Sequence, residues 1–270
     1  MSTPKQLPGA RGDVEKPDRS LVREAALRTV NRLQRGYRSD VPAAVAAVAR
    51  LRREAGHEPH TSPASWGLDD LEALTQLREE REQEGNDITR YLVAQAQRQH
   101  EQREEREDQA VHLAVTLWAL HQQSVRDEPM HAPGWSLGRA ARRLAQENTE
   151  TSPTPAHPDD EAPSAVARES GQRAVVESVS ATVRKRFVRI GTSTDVDTLG
   201  RRLREMVLLL RNARIPLDYG LLADQLYRWQ PEAGQAEVRR SWGRDFHRTY
   251  RNTVLDGEEG TPPSPEHTPT

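Results

Sequence analysis

Apolar residues along this chain recur at intervals of three and four, the period of a helix that buries one side. In the run from Ala43 to Ala55, Val45, Val48 and Leu51 share a face. Val111, Val115 and Trp118 fall at i, i+4, i+7, and Leu113, Leu117 and Leu120 widen the stripe, which predicts a deeply buried helix. Ser136 can cap a short helix that turns Leu137, Ala141 and Leu144 inward. Thr194 and Asp197 have the spacing of a capping box, with Asp in place of the preferred Glu or Gln. The helix they open aligns Leu199, Leu203, Met206 and Leu210. Pro216 and Asp218 start another, with Leu222, Leu226 and Trp229 inward, and Val238, Trp242 and Phe246 recur every four residues in the last. No stretch alternates apolar and polar residues over strand length, and Asp256-Gly257 joins no β-branched runs. The pattern predicts an all-α fold.

Other stretches bury too little to offset the entropy of ordering them. Residues 1–20 mix Pro, Gly and charge, residues 147–172 hold Pro153, Pro155, Pro158 and Pro163 among acids, and residues 256–270 are rich in Pro and Glu. All three read as disordered. Glu79–Asp108 is dominated by Glu, Gln and Arg and reads as a solvated helix laced with i,i+4 charge pairs; Ile88, Tyr91, Leu92 and Val93 are its apolar cluster. The expected organisation is a tail over 1–20, an N-terminal helical subdomain over 21–146 with a charged insertion near 79–108, an acidic linker over 147–172, a basic C-terminal helical subdomain over 173–255, and an acidic tail over 256–270.

Composition narrows the function. Hydrophobic residues make up 34% of the 270, so a core forms along only part of the chain. There is no cysteine, which excludes disulfides, a thiol nucleophile and thiolate-bound metals. The apolar-rich run Ala110–Leu120 contains His112 and falls short of the ~20 residues that span a bilayer. The first residues carry no apolar signal core. The expected location is therefore the cytoplasm, with no membrane partner.

Net charge is −2, but this average conceals a separation. Arg173–Arg251 holds sixteen Lys/Arg against nine Asp/Glu, while 147–172 holds six acids and one base, and no base follows Arg251. Arginine outnumbers lysine thirty-six to three; a GC-rich genome's codon usage accounts for much of this, so the skew alone argues for nothing. Placement says more. Arg240, Arg244, Arg248 and Arg251 form a stripe opposite Val238, Trp242 and Phe246 on a helix advancing ~100° per residue. Arg139, Arg142 and Arg143 point away from Leu137, Ala141 and Leu144; Arg184, Lys185, Arg186 and Arg189 surround Phe187; Arg52 and Arg53 follow Leu51. A face that serves only solubility mixes signs, as Glu79–Asp108 does, whereas these carry one. Such rows neutralise backbone phosphates without reading bases, so binding is expected to tolerate sequence and to fall with salt.

Catalytic readings find little support. No Gly-rich phosphate loop occurs, and His57 and His60 have no third ligand at helical or hairpin spacing. His121, with Gln122, Gln123 and Ser124 after it, reads as a buried polar group that fixes packing; as a general base it lacks a nucleophile. His131 and His247 are better suited to a phosphate or interface contact than to proton transfer. The chain is expected to be no enzyme and to need neither metal nor cofactor. Leu221-Leu222-Ala223-Asp224-Gln225-Leu226 has the look of the first helix of a helix-turn-helix, the mark of a free-standing DNA-binding regulator. Trp229–Gly234 then intervenes where a recognition helix should begin, and the helix after it carries phosphate-type arginines.

Several strings together resemble one family, the small subunit (Cse2, or CasB) of the type I-E CRISPR surveillance complex Cascade. They are Trp118-Ala-Leu-His-Gln-Gln-Ser124, Met130-His131, Gly134-Trp-Ser-Leu-Gly-Arg-Ala140 and Val183-Arg-Lys-Arg-Phe187. Leu203-Arg-Glu-Met-Val-Leu-Leu-Leu210, Ile215-Pro-Leu-Asp-Tyr219, Leu226-Tyr-Arg-Trp-Gln230 and Trp242-Gly-Arg-Asp-Phe246 follow in order. Their order and spacing across Leu113–Tyr250 carry the likeness, and Val41–Gly56 fits more loosely. The resemblance implies a non-enzymatic all-α protein of two helical subdomains. Two copies of it would lie beside the crRNA-bearing backbone and large subunits of Cascade. Their charge would hold target DNA and the displaced non-target strand while guide pairing reads sequence. It also implies basic residues at Arg52, Arg53, Arg139 and Arg184 to Arg186; the stripe from Arg240 rests on the charge pattern. The sequence departs from the family in the Glu79–Asp108 insertion, in the acidic linker, which is expected to project away from nucleic acid, and at Pro231-Glu232-Ala233-Gly234, where some members carry bases.

Overall fold

A computed structural model describes residues 20–61, 70–84, 94–150 and 181–249. Among these residues the chain is helical throughout, as the periodicity predicts, without a strand. The helices are α1 (Leu21–Arg38), α2 (Pro42–Glu54), α3 (Glu72–Glu84), α4 (Ala94–Gln122), α5 (Leu137–Glu150), α6 (181–191), α7 (Val196–Asn212), α8 (Tyr219–Trp229) and α9 (Glu232–His247). The proposed tails over 1–19 and 256–270, most of the acidic linker (151–172), Arg251 and the Ile88–Val93 cluster lie outside the described residues.

The stripes read from sequence are the core. Val48 and Leu51 of α2, Val111, Val115 and Trp118 of α4, Leu199, Leu203, Met206 and Leu210 of α7, and Leu222, Leu226 and Trp229 of α8 are all buried. The reading did not single out α1, which places Val22, Ala26, Val30, Leu33 and Tyr37 in the same cluster. Helix α8 packs on both α1 and α4, so residues on either side of 147–172 meet in one continuous core. Deleting a buried aromatic such as Trp118 or Trp229 removes about 3–5 kcal/mol from a core of this kind.

Helix starts follow local chemistry. Pro42 opens α2, where its missing N–H costs nothing. Ser136 Oγ accepts from Arg139 N–H at the start of α5, as predicted. Helix α7 is capped one residue later than the capping box suggests: Asp195, not Thr194, accepts from Thr198 N–H at 2.7 Å, and Thr194 Oγ1 donates to Asp195 instead. That N–H holds the Asp195 carboxyl below its ordinary pKa. Asp218 caps α8 by accepting from Leu221 N–H at 2.9 Å. Helix α4 is buried in its second half and exposed in its first, where Arg78 of α3 pairs with Glu104, Glu107 and Asp108. The expected charged insertion thus spans the end of α3 and the start of α4.

A buried polar relay fixes the register of these helices. Gln34 Oε1 accepts from His131 N–H at 2.8 Å and from the Trp118 indole at 3.4 Å. Tyr219 N–H donates to His131 Nδ1 at 3.2 Å, and the Tyr219 hydroxyl meets His121 Nδ1 at 2.8 Å. His131 is therefore a core residue rather than the phosphate or interface contact expected of it, because its ring fits between the α4–α5 crossover and the start of α8. His121 packs as the sequence suggested. Burial lowers the His121 pKa from 6.5 to about 3, so the ring is neutral when folded. The unfolded chain binds that proton far more readily, so the folded state is fully favoured above pH ~6.5 and loses stability as pH falls toward 3. The unfolding free energy should drop on acidification by up to about 1.4 kcal/mol per pH unit for this group, read by denaturant titration, and His121→Gln should flatten that slope.

Candidate nucleic-acid interface

Helix α5 packs along α9 with its buried face, and glycine makes the closest approach possible. A Cβ on Gly138 would lie 2.3 Å from the Trp242 carbonyl oxygen and 2.7 Å from Phe246 N, both backbone atoms that cannot step aside. From the other side, Phe187 of α6 stacks on Phe246 of α9 with ring centroids 4.8 Å apart and planes 16° from parallel. Arg239 of α9 donates to the Ser193 carbonyl at 3.0 Å, which ties α9 to the α6–α7 turn. Three basic helices therefore converge on Phe246.

Their charged residues differ in what they touch and in how far they are exposed. Arg142 donates to the carbonyls of Phe246 and His247 at 3.1 and 3.0 Å, satisfying the last turn of α9. Arg139 stands with its guanidinium 4.1 Å from the Trp135 ring centroid and donates to Gly134 O at 3.2 Å. Arg143 is half-buried one turn along the same face, and Arg186 approaches Glu205 at 3.9 Å. Arg184, Lys185 and Arg189 are exposed on α6 around Val188, itself 55% exposed. Arg240 and Arg244 are exposed on α9. Arg248, expected on the helical stripe, is instead the extended residue that ends α9, and it too is exposed. His247, beside it, is exposed with its ring edge-on to Phe246 at 5.4 Å.

Arg52 and Arg53 do not join this convergence. They end α2, which packs chiefly on α1 and α4; Arg53 is exposed, while Arg52 is half-buried and its Nε has no hydrogen-bond partner. Among the described residues no group of three or more His, Asp or Glu side chains is arranged to hold a metal ion. His60 instead meets Asp108 at 3.2 Å, and His112 meets Asp70 at 2.5 Å. Sequence reasoning missed the anchoring role of Arg142 and the stacking of Arg139 on Trp135. The Trp135-x-x-x-Arg139 spacing carried the second signal, one helical turn apart.

The helix-turn-helix comparison also changes. Helix α9 begins at Glu232, so only Gln230-Pro231 separates it from α8, a shorter connection than the sequence suggested. Its first turns nevertheless carry Glu232 and Glu237, the latter paired with Arg228 at 3.1 Å, and its other flank lies against α5. A helix so placed presents carboxylates where a recognition helix presents base-reading groups.

An all-helical bundle in which three arginine-bearing helices pack around the Phe187–Phe246 stack is the class these observations define. Residues 47–247 match the family described as CRISPR-associated protein Cse2, and the chain belongs to that family. It is similar to CasB from Thermobifida fusca, known from a crystal structure, with 36% identity over 85% of this chain and 99% of that one, at a TM-score of 0.58. Comparison with curated proteins gives no match. No helix among the described residues is long and apolar enough to cross a membrane.

Four substitutions separate packing from exposed charge. Gly138→Ala should destabilise the fold by about 1–3 kcal/mol, read by denaturant titration, since the clash is with backbone. Arg142→Ala should cost about 1–2 kcal/mol through the lost carbonyl contacts, whereas Arg240→Ala or Arg244→Ala should stay within about 0.5 kcal/mol.

Proposed function

We propose that this protein is the non-catalytic small subunit of a type I-E Cascade, acting in the cytoplasm. In this reading it grips nucleic-acid backbone to stabilise the R-loop formed by crRNA and target DNA, including the displaced non-target strand. A second copy of itself and the backbone and large subunits of Cascade are its protein neighbours. Family membership supports the assembly. The observation that carries the nucleic-acid role is the convergence of α5, α6 and α9 at the Phe187–Phe246 stack, which gathers the basic faces of three helices. Rows of arginine at helix surfaces, without base-reading groups at a helix N-terminus, suit phosphate contact independent of sequence. The two-subdomain division belongs to the same reading, with 147–172 directed away from the strands. Arg52 and Arg53, set apart on α2, would meet a different stretch of backbone.

The test is charge reversal. An assembled complex carrying Arg240→Glu, Arg244→Glu and Arg248→Glu should release the displaced strand several-fold faster than wild type while its circular dichroism is unchanged. Wild-type binding should weaken steeply with salt, log K falling by about 0.7–0.9 per neutralised phosphate for each unit of log salt concentration. Equal strand retention by the variant would remove α9 from the interface. A free-standing regulator would instead bind one duplex sequence tightly and scrambled duplex poorly.

A further inference from the structure

Where the end of α2 meets α4 and α7, the fold leaves a cavity of about 460 Å³, within the ~300–1,000 Å³ typical of small-molecule sites. One wall is the turn after α2, Gly56 to Pro59; Leu113 and Leu117 of α4 and Val196 and Gly200 of α7 supply apolar surface. A Cβ on Gly200 would lie 3.3 Å from Leu113 Cδ1, so glycine leaves room between α7 and α4. Arg204 Nη1 donates to Ala55 O at 2.6 Å, which fixes α7 against the end of α2. Two polar side chains of α4 line the same space. Gln109 brings an amide, and His112, 3% exposed, has an Nε2 with no hydrogen-bond partner among the described residues. The Asp70 carboxylate, which is not part of the lining, accepts from His112 Nδ1 at 2.5 Å. A neutral imidazole that donates from Nδ1 keeps its lone pair at Nε2, so the unmet group is an acceptor. The mouth is polarised. Exposed Arg201 and Arg204 stand on the α7 side, whereas past Glu58 a groove continues along Glu101, Glu105 and Asp108 of α4.

We propose that this cavity binds a nucleobase that carries an exocyclic amine: adenine, cytosine or guanine. The inference rests on the nucleic-acid reading above for its source, an unpaired stretch of strand; a free nucleotide offers the same chemistry. The flat ring lies against Leu113, Leu117 and Val196, and its amine donates into a lining rich in acceptors: His112 Nε2, the Gln109 carbonyl and the Asp197 carboxylate. Thymine and uracil present a carbonyl where the amine stands and would set acceptor against acceptor, the kind of mismatch that a hydrogen-bonding site rejects. A base held in a duplex has its amine engaged by its partner, so the site selects single strands or extruded bases. The phosphate leaves over Arg201 and Arg204, because the other lip is acidic. Arg52 and Arg53 end the helix that leads into the Gly56 turn and extend the basic side.

The experiment uses the full chain with adenosine, adenosine monophosphate and ribose phosphate, and with oligo-dA, oligo-dT and duplex DNA of equal length. Adenosine should shift the His112 ring resonances in nitrogen-edited NMR, the signal being assigned by its loss in His112→Gln. By calorimetry the monophosphate should bind more tightly than adenosine, and ribose phosphate far more weakly than either. Gln109→Leu should lower the affinity for adenosine and for its monophosphate alike, by roughly three- to tenfold. Arg201→Ala should weaken the monophosphate alone. By anisotropy, oligo-dA should bind more tightly than oligo-dT, and Gln109→Leu should erase that preference without changing duplex affinity. Circular dichroism checks that each variant is folded. Ribose phosphate bound as tightly as the monophosphate, a His112 signal indifferent to adenosine, or Gln109→Leu without effect would each overturn the base site. Adenosine bound in the cavity while neither strand nor duplex binds would make a free nucleotide the ligand and overturn the nucleic-acid reading alone.

Discussion

The carboxylate of Asp218 is the point on which the arrangement turns. It is 2% exposed, yet it is neither isolated nor simply paired with a base. One oxygen caps α8 through Leu221 N–H; the other receives Gly134 N–H, with Arg23 at 3.9 Å as a looser neighbour. A buried charge is tolerated only when its acceptor sites are filled, and here the filling is done by two separate segments of backbone. The segment that starts the central helix and the segment that leads into α5 are thereby held at a fixed spacing. Everything α5 carries outward inherits that spacing, including its contact with α9 at Gly138. The Gln34 and His131 contacts repeat the same device one layer deeper, joining α1 and α4 to the crossover.

Bringing three cationic helices together opposes Coulomb repulsion, and the fold places the attraction where water cannot compete. The stacked rings of Phe187 and Phe246, the buried Trp242 and the close backbone approach at Gly138 lie beneath the charges. The open charges stay in solvent, where their mutual repulsion is screened within about 8–10 Å. Arg142 and Arg239 spend their charge on carbonyls, so part of the formal surplus serves as scaffold for the rest.

The core was legible from sequence because helix burial writes itself into spacing. The stripes through Trp118, Leu203, Leu226 and Trp242 are the ones the structure buries. Helix starts at Ser136 and Asp218 were legible for the same local reason, while the α7 start was displaced by a residue because Asp195 competes with Thr194 for the capping position. His131 was not legible: its burial depends on Gln34, ninety-seven residues away, and local spacing holds no trace of such a partner. The basic faces were visible as separate stripes. Their convergence depends on α5 packing against α9, a tertiary fact signalled only by a glycine in the first turn of a helix. Which arginines stay open and which are taken by carbonyls depends equally on neighbours distant in sequence.

The exposed positive charge of the convergence is almost entirely guanidinium, with Lys185 the lone ammonium. Guanidinium keeps its proton at every pH at which a protein stays folded, and it offers no amine to acylating enzymes. The surface therefore has no titratable or acetylation-based means of being switched off beyond His247 and that one lysine. Its grip is set by ionic strength and by how many copies are present, which makes recruitment into an assembly, rather than chemistry on the protein, the natural point of control.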